Sequence, residues 1–176
     1  MTPPPTPTNV GDRFDRLPET AAERAVENRP AREAVLAWWD RRYGIAPETF
    51  ASYTFWERGA GKIWAFRDVG AVDSPVAIQG LGLAVLRARQ EHWKPTLEAA
   101  QRFGRRATRN CITVDSAAAK RFLAGEDQTV AWDGDWGYLI VTHELAGEHE
   151  PLGVGLYTHG ELASMVPKGR RRDLRT

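Results

Sequence analysis

The chain has 176 residues, and 24 lysines and arginines against 23 aspartates and glutamates give it a formal net charge of +1 at neutral pH. A chain of this size supports one compact domain or two small ones, with seven tryptophans available for their cores. The absence of a long apolar run and of a signal-peptide pattern predicts a soluble cytoplasmic protein without a membrane partner. A single cysteine excludes an internal disulfide and a cysteine-based zinc site.

The small net charge conceals a segregated distribution of charged residues. Lysine and arginine dominate the segment 87–109 and the tail that starts at Lys168, whereas carboxylates dominate the segment 111–166 between them. Two basic blocks around an acidic middle predict a basic stripe, which is typical of proteins that bind nucleic acid.

The N-terminal segment begins with a proline-rich run at 2–8, which cannot form a series of helix or ladder hydrogen bonds. We therefore expect a disordered or extended leader over 1–29. A helix is predicted over 33–43 after Pro30, which suits a helix start. The apolar face of this helix carries Val35, Leu36, Trp38, Trp39 and Tyr43.

A first α+β module is predicted over 30–108. Its strands are expected at 53–56, 62–66, 75–78 and 81–86, the first two forming a hairpin. Thr96 is expected to cap a helix over 97–103, which Gly104 ends. Trp38, Trp39, Trp56 and Trp64 fall on the apolar registers of these elements and are expected in the core.

A second module is predicted over 109–176. It has a strand at 111–114 and a short helix over 117–123, capped by Asp115 or Ser116. Further strands are predicted at 128–132, 136–142 and 152–157, with a tight turn at 133–135 between the first two of them. Short strands around one small helix predict a compact and mostly antiparallel barrel.

The last part of the chain also carries a motif. Its residues are Leu152, Gly153, Gly155, Gly160, Leu162, Pro167, Lys168, Gly169 and Arg170. This pattern resembles the closing strand and tail of the PUA-type RNA-binding domain at the C-terminus of Nop/Sun-type RNA cytosine-5 methyltransferases. Residues 80–104 are similar to the pre-PUA module of the same enzymes, and both modules make up the small Nip-type ribosome-biogenesis factors. The likeness covers roughly residues 33–172.

The resemblance implies an α+β fold, in which a pre-PUA-like module precedes a small PUA-like β-barrel. It also implies an RNA groove bordered by the tail and by the loop after the barrel helix. The residues that match this border are Lys168, Arg170, Arg171 and Arg172, together with Lys120, Arg121 and Gly125. The glycines of the closing strand would let a backbone approach closely.

The upstream basic block supplies further candidate RNA contacts. These are Arg87, Arg89, Trp93, Lys94, Arg105 and Arg106. The cations would bind phosphates, and Trp93 lies between His92 and Lys94, where its ring would stack on an unpaired base.

The sequence contains few features of a catalytic site. A methyltransferase needs a glycine-rich turn between a strand and a helix, whereas 59–61 lies in a hairpin and 80–82 is not followed at once by a helix. Cys111 lies in a strand and is expected to be a buried, inert thiol. His143 and His149 belong to an acid-rich loop that we interpret as a solvated connection and not as a metal site. No cofactor, metal or enzymatic activity is therefore expected.

These observations predict a non-catalytic RNA-binding protein, with ribosomal or transfer RNA as the ligand class that the resemblance implies. It would act in ribosome biogenesis or RNA modification. One alternative is a protein-interaction adaptor that docks an RNA methyltransferase or a ribosome-assembly factor. Another is a small RNA-modifying enzyme, which lacks a paired acid and base in this sequence.

Overall fold

The structure, a computed structural model, describes residues 13–67, 78–89 and 91–172. The chain divides into two compact units, one formed by residues 1–41 and 46–94 and the other by residues 42–45 and 95–176. Across the described ranges, no helix is both long enough and apolar enough to cross a membrane.

Unit 1 contains a five-stranded sheet in which each strand lies beside the next one in sequence. Its strands are β1 (Asp15–Arg16), β2 (Tyr53–Arg58), β3 (Lys62–Arg67), β4 (Leu83–Arg87) and β5 (Lys94–Pro95). The predicted hairpin is confirmed, since β2 and β3 pair antiparallel and the pair Arg58 and Lys62 closes it. The predicted strand at 75–78 lies outside the described residues except for Ile78, which is not in a strand.

Helix α1 (Arg32–Tyr43) contributes Val35 and Trp39 to the core of unit 1, and both side chains are fully buried. The Trp39 ring packs edge-on against Trp38 at a centroid distance of 4.9 Å, and it contacts the tilted Phe50 ring at 5.9 Å. Of the four tryptophans expected in the core, Trp39 and Trp56 are buried, whereas Trp38 and Trp64 are half-buried.

The segment before Pro30 is more ordered than the expected leader. Its strand β1 pairs with β2, and the buried Arg29 side chain donates to Glu57 at 3.1 Å and to Asp15 at 3.0 Å. A buried guanidinium needs such partners, and these two carboxylates fix residues 13–29 to the sheet. The proline-rich part of the leader lies outside the described residues.

Unit 2 contains a second five-stranded sheet that curls into a half-barrel, in the order β6, β8, β9, β10, β7. Its elements are α2 (Leu97–Phe103), β6 (Cys111–Val114), α3 (Ser116–Leu123), β7 (Gln128–Thr129), β8 (Gly137–Leu145), β9 (Glu148–Thr158) and β10 (Glu161–Ser164). Strands β6 and β8 are parallel and the other neighbours are antiparallel. The predicted mostly antiparallel α+β architecture is confirmed.

Both predicted helix caps of this unit are present. The Thr96 hydroxyl accepts from the Ala99 N–H at 3.1 Å, and the Asp115 carboxylate accepts from the Ala118 N–H at 2.8 Å. Asp115, and not Ser116, is therefore the cap of α3. Side chains at these positions pair the N–H groups that a helix start leaves open.

The predicted hairpin around 133–135 is wrong. Strand β7 ends at Thr129 and pairs with β10, a strand that we did not predict, and not with β8. The segment that follows turns back on itself, and the Trp132 indole N–H donates to the Asp135 carbonyl at 3.2 Å. Alternation of apolar residues indicates a strand but does not identify its partner.

Candidate nucleic-acid interface

The basic tail of unit 2 is fixed to the end of α3 by its own backbone. The Arg172 N–H donates to the Leu123 carbonyl at 2.9 Å, one of the acceptors that a helix end leaves open. The Arg170 N–H donates to the Pro167 carbonyl at 2.8 Å and closes a 3-10 turn over Lys168–Arg170. The tail is thus a docked segment whose side chains remain exposed.

Gly125 and Arg171 form the closest approach between the α3 loop and the tail. Gly125 has φ +84°, and a Cβ built on it would lie 2.2 Å from Arg171 Nε, so the arginine side chain occupies that space. Arg171 Nε in turn donates to the Val166 carbonyl at 3.2 Å. The structure therefore brings two of the predicted border positions together.

The two predicted cations of α3 lie in its last turn, shortly before Gly125, and both are exposed. Arg121 Nε donates to the Gln128 side-chain oxygen at 3.2 Å, and the buried Gln128 amide donates to the Ala118 carbonyl at 3.0 Å. Gln128 thus orients Arg121, while Lys120 extends into solvent.

Two of the predicted phosphate contacts are paired with carboxylates in this structure. Arg170 lies 3.0 Å from Glu98 in the first turn of α2, and Arg105 forms an ion pair with Glu150. Arg106 lies beside Arg105 in an exposed 3-10 turn. Sequence reasoning missed both carboxylates as part of the site, because neither is close in sequence to its arginine.

An open cleft of about 510 Å³ lies beside the docked tail. Its apolar lining comes from Leu97, Leu123, Leu152 and Val166, and its polar lining from Gln101, Arg170 and Arg172. No local sequence signal could have revealed this cleft, because α2, α3, β9 and the tail each supply part of it.

The remaining predicted contacts lie in unit 1. Trp93 is half-buried, with its ring centroid 5.9 Å from that of Trp38 and the two planes at 44°. Burial, and secondarily the charge of Arg87, lowers the pKa of the neighbouring Lys94 ammonium. Arg87 and Arg89 are exposed. The structure brings Arg87 and Lys94 together and places Trp93 against another aromatic ring.

The space at the closing-strand glycines is filled from within the fold. A Cβ on Gly153 would lie 2.7 Å from the Leu97 side chain, and one on Gly155 would lie 2.6 Å from Leu162. The close approach that these glycines permit is therefore used within the fold. They allow α2 and β10 to pack against β9, both glycines being buried.

The candidate catalytic groups have ordinary structural surroundings. Cys111 is half-buried and not fully buried as expected, and burial raises the pKa of its thiol to about 11, which disfavours the thiolate at neutral pH. The prediction of a loop at His143 and His149 is wrong, because these residues lie in the paired strands β8 and β9. His143 Nδ1 lies 2.9 Å from the Val114 carbonyl, and His149 Nδ1 lies 3.4 Å from the Thr113 hydroxyl. Over the part of the chain that the structure describes, no cluster of three His, Cys, Asp or Glu side chains suits a metal ion.

Two family models match this chain. Residues 109–172 match the family described as the methyltransferase RsmF PUA domain, and residues 2–82 match a family of unknown function (DUF7122). The curated relatives include the ribosomal RNA small subunit methyltransferase F of Aeromonas salmonicida (strain A449), 25% identical over 113 residues. That alignment covers 64% of this chain and 23% of the relative. Residues 109–172 therefore form a PUA-like RNA-binding module of the kind found at the C-terminus of Sun-type methyltransferases.

Proposed function

We propose that this protein binds ribosomal or transfer RNA without catalysing a reaction on it, and that it serves ribosome biogenesis or RNA modification in the cytoplasm. The observation that supports this most is the docked tail. Within the PUA-like module, the tail presents a lysine and three arginines beside Gly125 and the last turn of α3.

The physical basis is the neutralisation of phosphates. Arginine and lysine side chains that contact phosphates release counterions, so they contribute affinity for any RNA sequence. The adjoining cleft adds an apolar lining next to Arg170 and Arg172. Phosphates on the guanidinium groups and sugar or base faces on the leucines would use both parts of this surface.

A salt titration of RNA binding tests the proposal. Replacing Lys168, Arg170, Arg171 and Arg172 with alanine should weaken binding and flatten the slope of log affinity against log salt by about 0.7 for each phosphate that is no longer neutralised. The matched control replaces four exposed arginines of unit 1, which are Arg13, Arg24, Arg41 and Arg67. This control should flatten the slope less than the tail variant does. An unchanged slope in the tail variant would overturn the proposal.

The non-catalytic part of the proposal has its own test. The glycine pair at 59–61 forms the β2–β3 turn, where the Gly61 N–H donates to Glu57, and Cys111 has its pKa raised to about 11. We expect methyl transfer from S-adenosylmethionine to host RNA to stay at background, with a partner RNA methyltransferase or assembly factor supplying any chemistry. Transfer that survives repurification and disappears in Cys111→Ala would show an enzyme instead.

A further inference from the structure

Four cations lie at the same end of the sheet of unit 1, one on each of four neighbouring strands. Arg58 ends β2 and pairs directly with Lys62, which begins β3. Lys62 pairs directly with Arg87, which ends β4. Arg87 lies close enough to Lys94, on β5, for its charge to contribute to the lowered pKa of the Lys94 ammonium. We call these four residues the strand-end row.

The strand register determines which face of the sheet the side chains of this row occupy. Directly paired residues of antiparallel strands extend to the same face, and the next residues along each strand extend to the other. Glu57 and Ile63, the adjacent pair, are buried on the opposite face. On the face of the row, the Lys62 ammonium lies 4.9 Å from the Trp64 ring centroid, and the Arg58 guanidinium lies 5.5 Å from that of Phe14.

Such a row brings like charges together, although the Arg58 guanidinium also donates to the Gln79 carbonyl at 2.8 Å and to the Gln79 side-chain oxygen at 3.3 Å. Like charges placed directly opposite each other across two strands destabilise a sheet. The neighbouring charge of Arg87 also contributes to the lowered pKa of Lys94, after burial. An anion over the row would remove both penalties. Three strand spacings give the row a length of about 14 Å, which suits an extended polyanion better than a single small ion.

We propose that the strand-end row is a second RNA-binding surface, located in unit 1, which contacts the phosphates of an RNA backbone. RNA is favoured over an acidic peptide because aromatic rings accompany the cations. The half-buried Phe14 and Trp64 rings lie on the face of the row, so part of each ring remains accessible to a base. The inference rests on the proposed function in taking RNA as the ligand, but uses none of the residues of the tail.

The test compares two variants of the full chain on a single-stranded oligouridylate. Lys62→Gln with Arg87→Gln removes the two central charges, and neither side chain is part of the buried core. The matched control is Arg24→Gln with Arg67→Gln, which removes two exposed charges from the same unit, Arg67 lying at the opposite end of β3. Thermal unfolding without RNA verifies that both variants fold.

We expect the row variant to flatten the salt slope by about 1.4, from two phosphates at about 0.7 each, while the control keeps the slope of the unmodified chain. The charge-conserving variant Lys62→Arg with Arg87→Lys should also keep it. Combining the row variant with the four alanines in the tail should reduce the slope by the sum of both effects.

Three outcomes would overturn the inference. An unchanged slope in the row variant, together with a flattened slope in the tail variant, would remove the row and leave the proposed function intact. Displacement of the oligouridylate from the row by polyglutamate at equal charge concentration would identify an acidic protein segment as the occupant. Absence of any RNA binding by the unmodified chain would remove both proposals.

Discussion

The tail and the strand-end row hold cations in place by different means. In the tail, Lys168–Arg170 and the two arginines that follow are consecutive in sequence, and one backbone hydrogen bond, from Arg172 to Leu123, fixes them to α3. In the row, residues from four strands are aligned by the register of the sheet. In the tail, Arg170 and Arg171 also make side-chain contacts, with Glu98 and with the Val166 carbonyl. In the row, the sheet fixes the spacing between the strands that carry the cations, at about 4.8 Å per strand.

The two regions also differ in where their carboxylates lie. In unit 2, Glu98 and Glu150 face the arginines that we propose as phosphate ligands. In unit 1, Glu57 is turned to the buried face, where it accepts from Arg29 and from the Gly61 N–H. Glu98 would thus compete with RNA for Arg170 of the tail, and Glu150 would compete for Arg105. The carboxylate nearest to the row in sequence, Glu57, instead helps to build the hairpin that carries the row.

The largest expected effect comes from that buried carboxylate. Glu57→Ala leaves Arg29 buried without one of its partners and frees the Gly61 N–H, so we expect a decrease of about 3–5 kcal/mol in the free energy of unfolding. Urea denaturation measures this decrease, with the exposed Glu48→Ala as control. A decrease below about 1 kcal/mol would mean that the ion pair does not hold the hairpin in place.

Gly125 tests whether docking of the tail matters apart from its charge. Gly125→Val forces a side chain onto a backbone with φ +84° and into Arg171, and we expect destabilisation of about 1–3 kcal/mol and weaker RNA binding. Gly147→Val is the matched control, because φ is +82° there and nothing lies within 4 Å of the added carbon. Equal RNA affinity in both variants would show that the Arg171 contact is irrelevant to binding.

Trp93 tests whether unit 1 contacts bases as well as phosphates. Trp93→Ala should weaken oligouridylate binding by about 1–3 kcal/mol if a base stacks on its ring. Trp136→Ala is the control, since Trp136 is 57% exposed and lies in unit 2. Equal weakening in both variants, measured by fluorescence anisotropy, would assign Trp93 to packing against Trp38.

Glu98 gives the smallest expected effect. Glu98→Gln releases Arg170 from its ion pair, and exposed pairs of this kind contribute about 0.2–1 kcal/mol. We expect RNA affinity to rise by a corresponding few-fold, and more than in Glu148→Gln, which makes the same charge change at an exposed position. A fall in affinity would mean that Glu98 holds the tail in its binding position.

The sequence predicted what local signals encode. The Asp115 cap, the helix that follows it and the strand before it are each visible within a few residues, and the tail is a contiguous basic run. The row was only half visible, since Arg87 and Lys94 belong to a basic block whereas Arg58 and Lys62 join them only through strand register. The filling of the space at Gly153 by Leu97 likewise depends on packing between distant segments.

The hydrogen bond from Arg172 to Leu123 has a consequence for the order of folding. Strands β8, β9 and β10 all lie between these two residues in sequence, so this hydrogen bond closes a long loop. Interactions of high sequence separation form late, because the intervening chain must first give up its conformational entropy. We therefore expect the half-barrel to form before the basic tail docks onto α3, so the surface proposed to bind RNA would be the last part of unit 2 to be completed.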